Sequence, residues 1–301
     1  MTGVGLCLPQ LGEGLTAELL RAFCERAEAH GYTSLWVQDH FMWPLEPRRG
    51  YAGRAGAPIP PQYRSVWAPL ELLTAAAMWT RTATLGTSIL VAGNHWPVSL
   101  AQSLSTIDHL SGGRLVVGLG VGWSAEEHDA SGTDIATRGA RMDDFVGALV
   151  ACWGEDPVSY EGPFFTVPPS VIRPKPLQSP RPRLISGMWS PAGLARTARL
   201  FDGWNPAGQS VSAVRTTVAK LNAERDTPLS VHHRAFAQFP LAAPPTDDPV
   251  QRLAAEAADA AAAGFDDFIL EHNFWSGIAD PQSWLDVPER FAPVVAAAAG
   301  G

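Results

Sequence analysis

The sequence is poor in charge and in cysteine, and it has neither a basic excess nor a long apolar run. Charged side chains make up 17% of its 301 residues, and acidic ones outnumber basic ones, for a net charge of -8. A nucleic-acid-binding face needs the opposite balance, so no nucleic-acid partner is expected. No stretch of about 18 apolar residues occurs, which argues against a membrane-spanning helix. The opening MTGVGLCLPQLGEG has no basic segment leading into an apolar one, so no secretory leader is expected and the location reads as cytoplasmic. Cys7, Cys24 and Cys152 are odd in number and widely spaced, as reduced thiols packed in a core would be, and unlike a zinc site. His232 and His233 are adjacent; on a strand they face opposite sides and cannot share an ion, so no metal is expected.

What the chain does have is apolar mass, 46% hydrophobic residues, arranged in a countable alternation. Strand-like runs are Val4–Pro9, Ser34–Asp39, Ala83–Leu90, Leu115–Gly122, Arg183–Met188, Asp202–Ala207, Leu229–Phe239 and Asp266–Asn273. Helical patterns follow each of them, at Ala17–His30, Trp67–Arg81, Pro97–Leu110, Arg138–Trp153, from Ser190 onward, Ser210–Arg225, Val250–Ala263 and Pro281–Ala298. Strands joined through helical crossovers pair in parallel, and eight such units close into an α/β barrel, a (β/α)₈ TIM barrel. A doubly wound open sheet uses fewer strands and a glycine-rich turn after the first; here that turn reads Pro9-Gln10-Leu11-Gly12. The expectation is one domain over residues 1–301. It carries insertions after strand two (Phe41–Val66), strand four (the proline-rich, irregular Gly154–Pro182) and strand seven (Ala242–Pro249).

In such a barrel the site lies at the C-terminal ends of the strands. Strand two delivers Asp39 and His40, a carboxylate beside the natural proton carrier near neutral pH; the pair reads equally as a loop histidine beside a solvated aspartate. In strand four Gly118, Gly120 and Gly122 alternate onto one face, where either a ligand or neighbouring side chains come close. Strand five ends Gly187-Met188-Trp189-Ser190 before Pro191. That is a helix start able to hold an anion or simply an N-cap serine. Phe41, Trp43, Tyr51, Tyr63 and Trp67 could wall an apolar pocket or pack as a cover over the barrel mouth. Glu126, Glu127 and His128 read as the solvated start of a helix, with a further acid as the alternative.

Three blocks together resemble the luciferase-like oxidoreductases, barrels that use reduced flavin or coenzyme F420. They are AHGYTSLWVQDHFMWP (Ala29 to Pro44), LGTSILVAGNHWPVSLAQSLSTIDHLSGGRLVVGLGVGW (Leu85 to Trp123), and Arg138 through RPKPLQSPRPRLISGMWSPAGLARTARLFDGW to Trp204. The resemblance implies that Asp39 binds the cofactor ring, that His40 moves the proton beside it, and that Trp43 lies close to the substrate. It places a non-proline cis peptide at Ser88-Ile89, against which the ring rests. Gly120 and Gly122 would line the cofactor, and Gly187, Met188, Trp189 and Ser190 would hold its phosphate. The family pattern there is Gly-Gly-x-Ser, so Met188 and Trp189 depart from it. The glutamate that some deazaflavin members use after strand four has only Glu126 and Glu127 nearby.

The Asp39-His40 pair resembles the F420 branch, with FMN as the alternative. The implied activity is hydride transfer between F420 and a small organic substrate, apolar or ring-containing. The alternatives are a two-component FMNH2-dependent monooxygenase and, from another class, a non-catalytic flavin-binding sensor or accessory protein. A homodimer is implied by the resemblance alone.

Overall fold

The computed structural model describes residues 1–238 and 248–300. Its strands are β1 (Gly3–Cys7), β2 (Ser34–Val37), β3 (Thr84–Thr87), β4 (Leu90–Val91), β5 (Leu115–Gly120), β6 (Val158–Glu161), β7 (Thr166–Ser170), β8 (Arg183–Ser186), β9 (Gly203–Trp204), β10 (Ser230–Phe236) and β11 (Asp267–Glu271). The helices are α1 (Ala17–Ala29), α2 (Pro69–Trp79), α3 (Pro97–Ser111), α4 (Ala125–Ala130), α5 (Arg138–Trp153), α6 (Pro191–Leu200), α7 (Val211–Asn222), α8 (Pro249–Ala262), α9 (Pro281–Arg290) and α10 (Ala292–Ala299).

The strands β1, β2, β3, β5, β8, β9, β10 and β11 are parallel neighbours around a closed circle, β3 meeting β5 at Leu85 opposite Leu115. β4 continues the stave of β3 beyond Ser88-Ile89 and pairs with β5 at Leu90 opposite Leu119. This is the expected TIM barrel. Its helices bury an outer shell against the staves: α1, capped by Thr16 accepting from the Leu19 N–H, buries Leu19, Leu20, Phe23, Cys24 and Ala27 on one face.

Inside the barrel the side chains lie in tiers. At the N-terminal end, Ser34 donates to Asp267 at 2.6 Å and receives the Trp36 indole N–H at 2.7 Å. Above it Cys7, Trp36, Val116, Ile185 and Ile269, from five different staves, form one apolar cluster, which only inward-facing residues can do. Cys7 and Cys24 are core residues, and burial pushes both thiols up, Cys24 to about 12. Over that plug sits a third tier, Gln38, Arg234 and Glu271, on which the site rests.

Four expectations are corrected. The third strand is split, because Ser88 and Ile89 leave the strand pairing. The proline-rich stretch after α5 holds an antiparallel hairpin, β6–β7. It is fastened to α5 by the Asp144 carboxylate, which accepts from the Tyr160 hydroxyl and the Phe164 and Phe165 N–H groups. The last helix breaks at Phe291: Pro293 has no N–H and its ring crowds the preceding turn, so α10 starts afresh. The sixth stave is only Gly203–Trp204, plus a bridge from Ala207 to Arg234. Phe239, the expected end of strand seven, and residues 242–247 of the insertion after it lie outside the described residues. Asp248 caps α8, whose first residue is Pro249. No helix among the described residues is long and apolar enough to cross a membrane.

Candidate active site

A cavity of about 580 Å³ opens at the C-terminal ends of the strands, within the usual range for a cofactor or substrate site. Asp39, His40, Ser88, Ile89, Gly120, Gly122, Gly187, Met188, Trp189 and Ser190 all line it. Trp43 does not. It packs in the aromatic cluster behind the wall, with the Arg64 guanidinium 4.4 Å from its ring centre.

Asp39 is 5% exposed and half committed. Its Oδ2 accepts the Val91 N–H at 2.9 Å and pairs with His95 Nε2 at 2.8 Å, while Oδ1 has no partner among the described residues. The next residue turns the other way. His40 Nδ1 lies 3.0 and 3.1 Å from the two oxygens of Glu127, whose Oε1 also takes the Phe41 N–H at 3.0 Å. Glu127 is 2% exposed, so the expectation of a solvated helix start is overturned for this residue. The cause is local: Ser124 caps α4 by accepting the Glu127 N–H, and that first turn aims the carboxylate back across the cavity mouth at His40. Glu126, in the same turn, is only partly exposed and pairs with the exposed Arg48. His128 is buried; burial lowers its pKa despite its bond to the Val121 carbonyl.

The glycines of the fourth stave make room for protein, the second of the two readings open in sequence. A Cβ on Gly120 would stand 2.4 Å from Ile89 Cδ1, one on Gly187 2.8 Å from Ile89 Cγ2, and one on Gly118 2.0 Å from the Thr87 carbonyl. Ile89 thus projects into the barrel top through a notch cut in two neighbouring staves. Its peptide with Ser88 is cis. Ser88 is held from three sides: its hydroxyl donates to Asn205 at 2.7 Å, its N–H to the Val37 carbonyl, and its carbonyl accepts from Arg234 at 2.5 Å.

Arg234 completes the floor. Its guanidinium is paired with Glu271, with both groups buried. Burial alone would raise the Glu271 pKa; the Arg234 charge beside it outweighs that and holds it below the usual carboxylate value. One Arg234 N–H also reaches Gln38 Oε1 at 3.2 Å, where the Tyr63 hydroxyl donates at 3.0 Å. Tyr63 and Trp123 pack edge-on and tilted against the His40 ring, with His40–Tyr63 centroids 4.5 Å apart, and Tyr51 and Phe274 pack against those two rings in turn.

At the opposite end of the cavity, Ser190 caps α6 by accepting the Gly193 N–H at 3.1 Å. The Met188 N–H is already engaged by Ser186 Oγ at 3.2 Å, and Trp189 is 66% exposed. Three arginines line this end: Arg49, Arg138 and Arg196. Burial, and secondarily the Arg49 charge, lowers the Arg138 pKa, while Arg196 is paired with Asp143. Of these residues, His95, Arg234, Arg49, Arg138 and Arg196 were not singled out in the sequence, while Glu127 was read there as a helix start with a further acid as the alternative, three residues after a serine able to cap α4.

The sequence profile of the luciferase-like monooxygenase family matches residues 4–300. An uncharacterized protein of Mycobacterium tuberculosis is 31% identical over 201 residues, 66% of this chain and 70% of its own. An FMNH(2)-dependent dimethylsulfone monooxygenase of Pseudomonas putida is 31% identical over 45% of this chain and 38% of its own. An F420-dependent glucose-6-phosphate dehydrogenase of Kineococcus radiotolerans is 30% identical over 53% and 44%. The chain therefore spans less than half the length of these two relatives. In fold it superposes on an F420-dependent secondary alcohol dehydrogenase with a TM-score of 0.73 at 16% identity, covering 99% of both chains. A barrel with its cavity at the strand C-termini and a profile match along nearly the whole chain agree: the chain belongs to the luciferase-like monooxygenase family, whose relatives include both F420- and FMNH2-dependent enzymes.

Proposed function

We propose that this protein is an oxidoreductase that binds coenzyme F420 and transfers a hydride between it and a small organic substrate, with His40 carrying the proton. The observation that carries this reading is the buried contact of His40 with Glu127 at the rim of a cavity that also exposes an unpaired Asp39 oxygen. Histidine suits proton transfer near neutral pH, and a carboxylate on Nδ1 fixes which ring nitrogen faces the reactants.

The residues present fit such a cofactor. Ile89 offers an apolar shelf for a planar ring, and Asp39 Oδ1 is a free acceptor for a ring N–H. The first turn of α6, with Arg49 and Arg138 alongside, suits a phosphate. Bound there, a deazaflavin supplies two-electron hydride chemistry at its carbon 5 without activating oxygen. The protein's part is to hold the substrate against the ring, keep the proton on or off His40, and exclude water beneath the aromatic wall.

FMN in an oxygenase is the second reading, supported by the Pseudomonas putida relative and by an arginine-lined end that suits either phosphate. A titration with both cofactors separates the two. The proposal carries with it one domain over residues 1–301, a homodimer and a cytoplasmic location, the last supported by three free buried thiols.

A further inference from the structure

Among the described residues, two side-chain donors on the floor of the cavity have no partner, Gln38 Nε2 and Arg234 Nε. Gln38 is 6% exposed and lines the cavity, and its Nε2 has no hydrogen-bond partner. The orientation of this amide is determined by its neighbours. Arg234 can only donate, so the atom it meets at 3.2 Å must be the amide oxygen, and the Tyr63 hydroxyl donates to the same oxygen. The backbone is pinned too: Gln38 N–H donates to Gln10 Oε1 at 2.8 Å, and Gln10 Nε2 donates to the Gln38 carbonyl at 2.7 Å. Buried amide N–H groups are nearly always satisfied, because leaving one bare forfeits its hydration with no return.

We propose that Gln38 Nε2 is the recognition donor for a neutral acceptor oxygen, a carbonyl borne on a planar or ring-shaped substrate. This rests on the reading of the cavity as the site shared by cofactor and substrate. Charge selects the class. Arg234 is neutralised by Glu271, so the floor offers an anion no net attraction. Its Nε is unpaired too, but the guanidinium is already held by Glu271, Ser88 and Gln38, and the Gln38 amide is the uncharged one of the two free donors. Position selects the shape. The Tyr63 ring that holds the Gln38 oxygen is 4.5 Å from the His40 ring, and Tyr51 and Trp123 line the cavity beside them, with Phe274 packed behind Tyr51 and Tyr63. A substrate oxygen on Gln38 therefore puts the adjoining ring against the aromatics, near the group assigned to proton transfer.

The test compares acetophenone with α-methylstyrene, which has the same shape but carries a methylene in place of the carbonyl oxygen. Binding is followed by ligand-observed NMR on wild-type protein and on Gln38→Glu, each with and without the cofactor it binds. Gln38→Glu keeps the acceptor for Tyr63 and Arg234 and replaces the donor with a carboxylate oxygen; Gln38→Met, which removes the donor without adding a charge, is measured beside it. The expected result is a preference for acetophenone of about tenfold in the wild type, lost in both variants. Should Gln38→Glu fail to fold, as judged by circular dichroism, Gln38→Met alone decides. Equal binding of the two probes by the wild type, no binding of either, or an undiminished preference in a folded variant overturns the proposal. Cofactor titration of the same samples keeps the claims apart. Cofactor binding without probe preference sinks the subsite alone, and preference without cofactor binding sinks the cofactor reading alone.

Discussion

His40 Nδ1 stands 3.0 Å from Glu127 Oε1 and 3.1 Å from Oε2, across a sequence gap of 87 residues and with almost no water at the carboxylate. The contact fixes the imidazole's rotation and tautomer at once. Nε2, the other ring nitrogen, is left to deal with whatever the cavity holds.

Glu127→Gln keeps an acceptor for the Phe41 N–H but removes the charge opposite His40. Turnover should fall about tenfold, and about 100-fold in Glu127→Ala, where the ring is free to rotate. Steady-state kinetics decide it, with circular dichroism as the control for folding. Equal rates in wild type and Glu127→Ala would show that the contact is only structural.

The notch around Ile89 makes a coupled prediction. Gly120→Ala should cost about 1–3 kcal/mol of stability, because its Cβ would meet Ile89 Cδ1 at 2.4 Å. Ile89→Ala removes the obstruction, so the double variant should lose clearly less than the sum of the two single losses. Urea unfolding of the four proteins measures the coupling, and additive losses would refute the packing account.

Two buried histidines set an acid limit. Burial pushes both His233 and His272 down to about 4 from the ordinary 6.5. Between those values the unfolded chain takes up protons that the folded chain refuses. Stability is thus complete above pH 6.5 and lost as pH falls toward 4, by about 1.4 kcal/mol per unit for each histidine at most. Glu271, held low by Arg234, adds its own loss only below the usual carboxylate range. His272 packs between the Phe23 and Trp284 rings, so His272→Phe should fill the space and flatten the profile. Thermal unfolding at stepped pH reads this directly.

Anion binding at the α6 end should depend on salt. Arg138→Ala is expected to weaken binding of a phosphate-bearing cofactor about tenfold and to lessen its sensitivity to ionic strength. Arg48→Ala serves as the control: Arg48 is exposed, pairs with Glu126 and Asp129, and is absent from the lining. Equal effects from the two variants would remove the site from this end.

The barrel was legible because each stave is an apolar run and each crossover an amphipathic helix, periods that survive in one dimension. Thr16 and Gly31, bounding α1, show how local chemistry marks an element's ends. The hairpin β6–β7 was hidden by prolines, although Val158 and Tyr160 already alternate with exposed residues. Asp39, His40 and the Gly187–Ser190 turn could be placed at the site by strand-end position and by resemblance. Glu127 was visible only as the lesser alternative, a further acid, and Arg234 and the Ile89 notch not at all, since each depends on which staves become neighbours. A glycine looks the same whether it admits a ligand or an isoleucine, and an acid in a first helical turn looks solvated until the helix is docked.

The chemistry of the cavity depends on which cofactor it holds. Purified protein, freed of bound ligands, is titrated in parallel with F420 and with FMN, and quenching of its tryptophan fluorescence is followed. Saturable F420 binding in the micromolar range, weaker for FMN and weakened further by Asp39→Ala, is the predicted result. Tight FMN binding with no measurable response to F420 would contradict it.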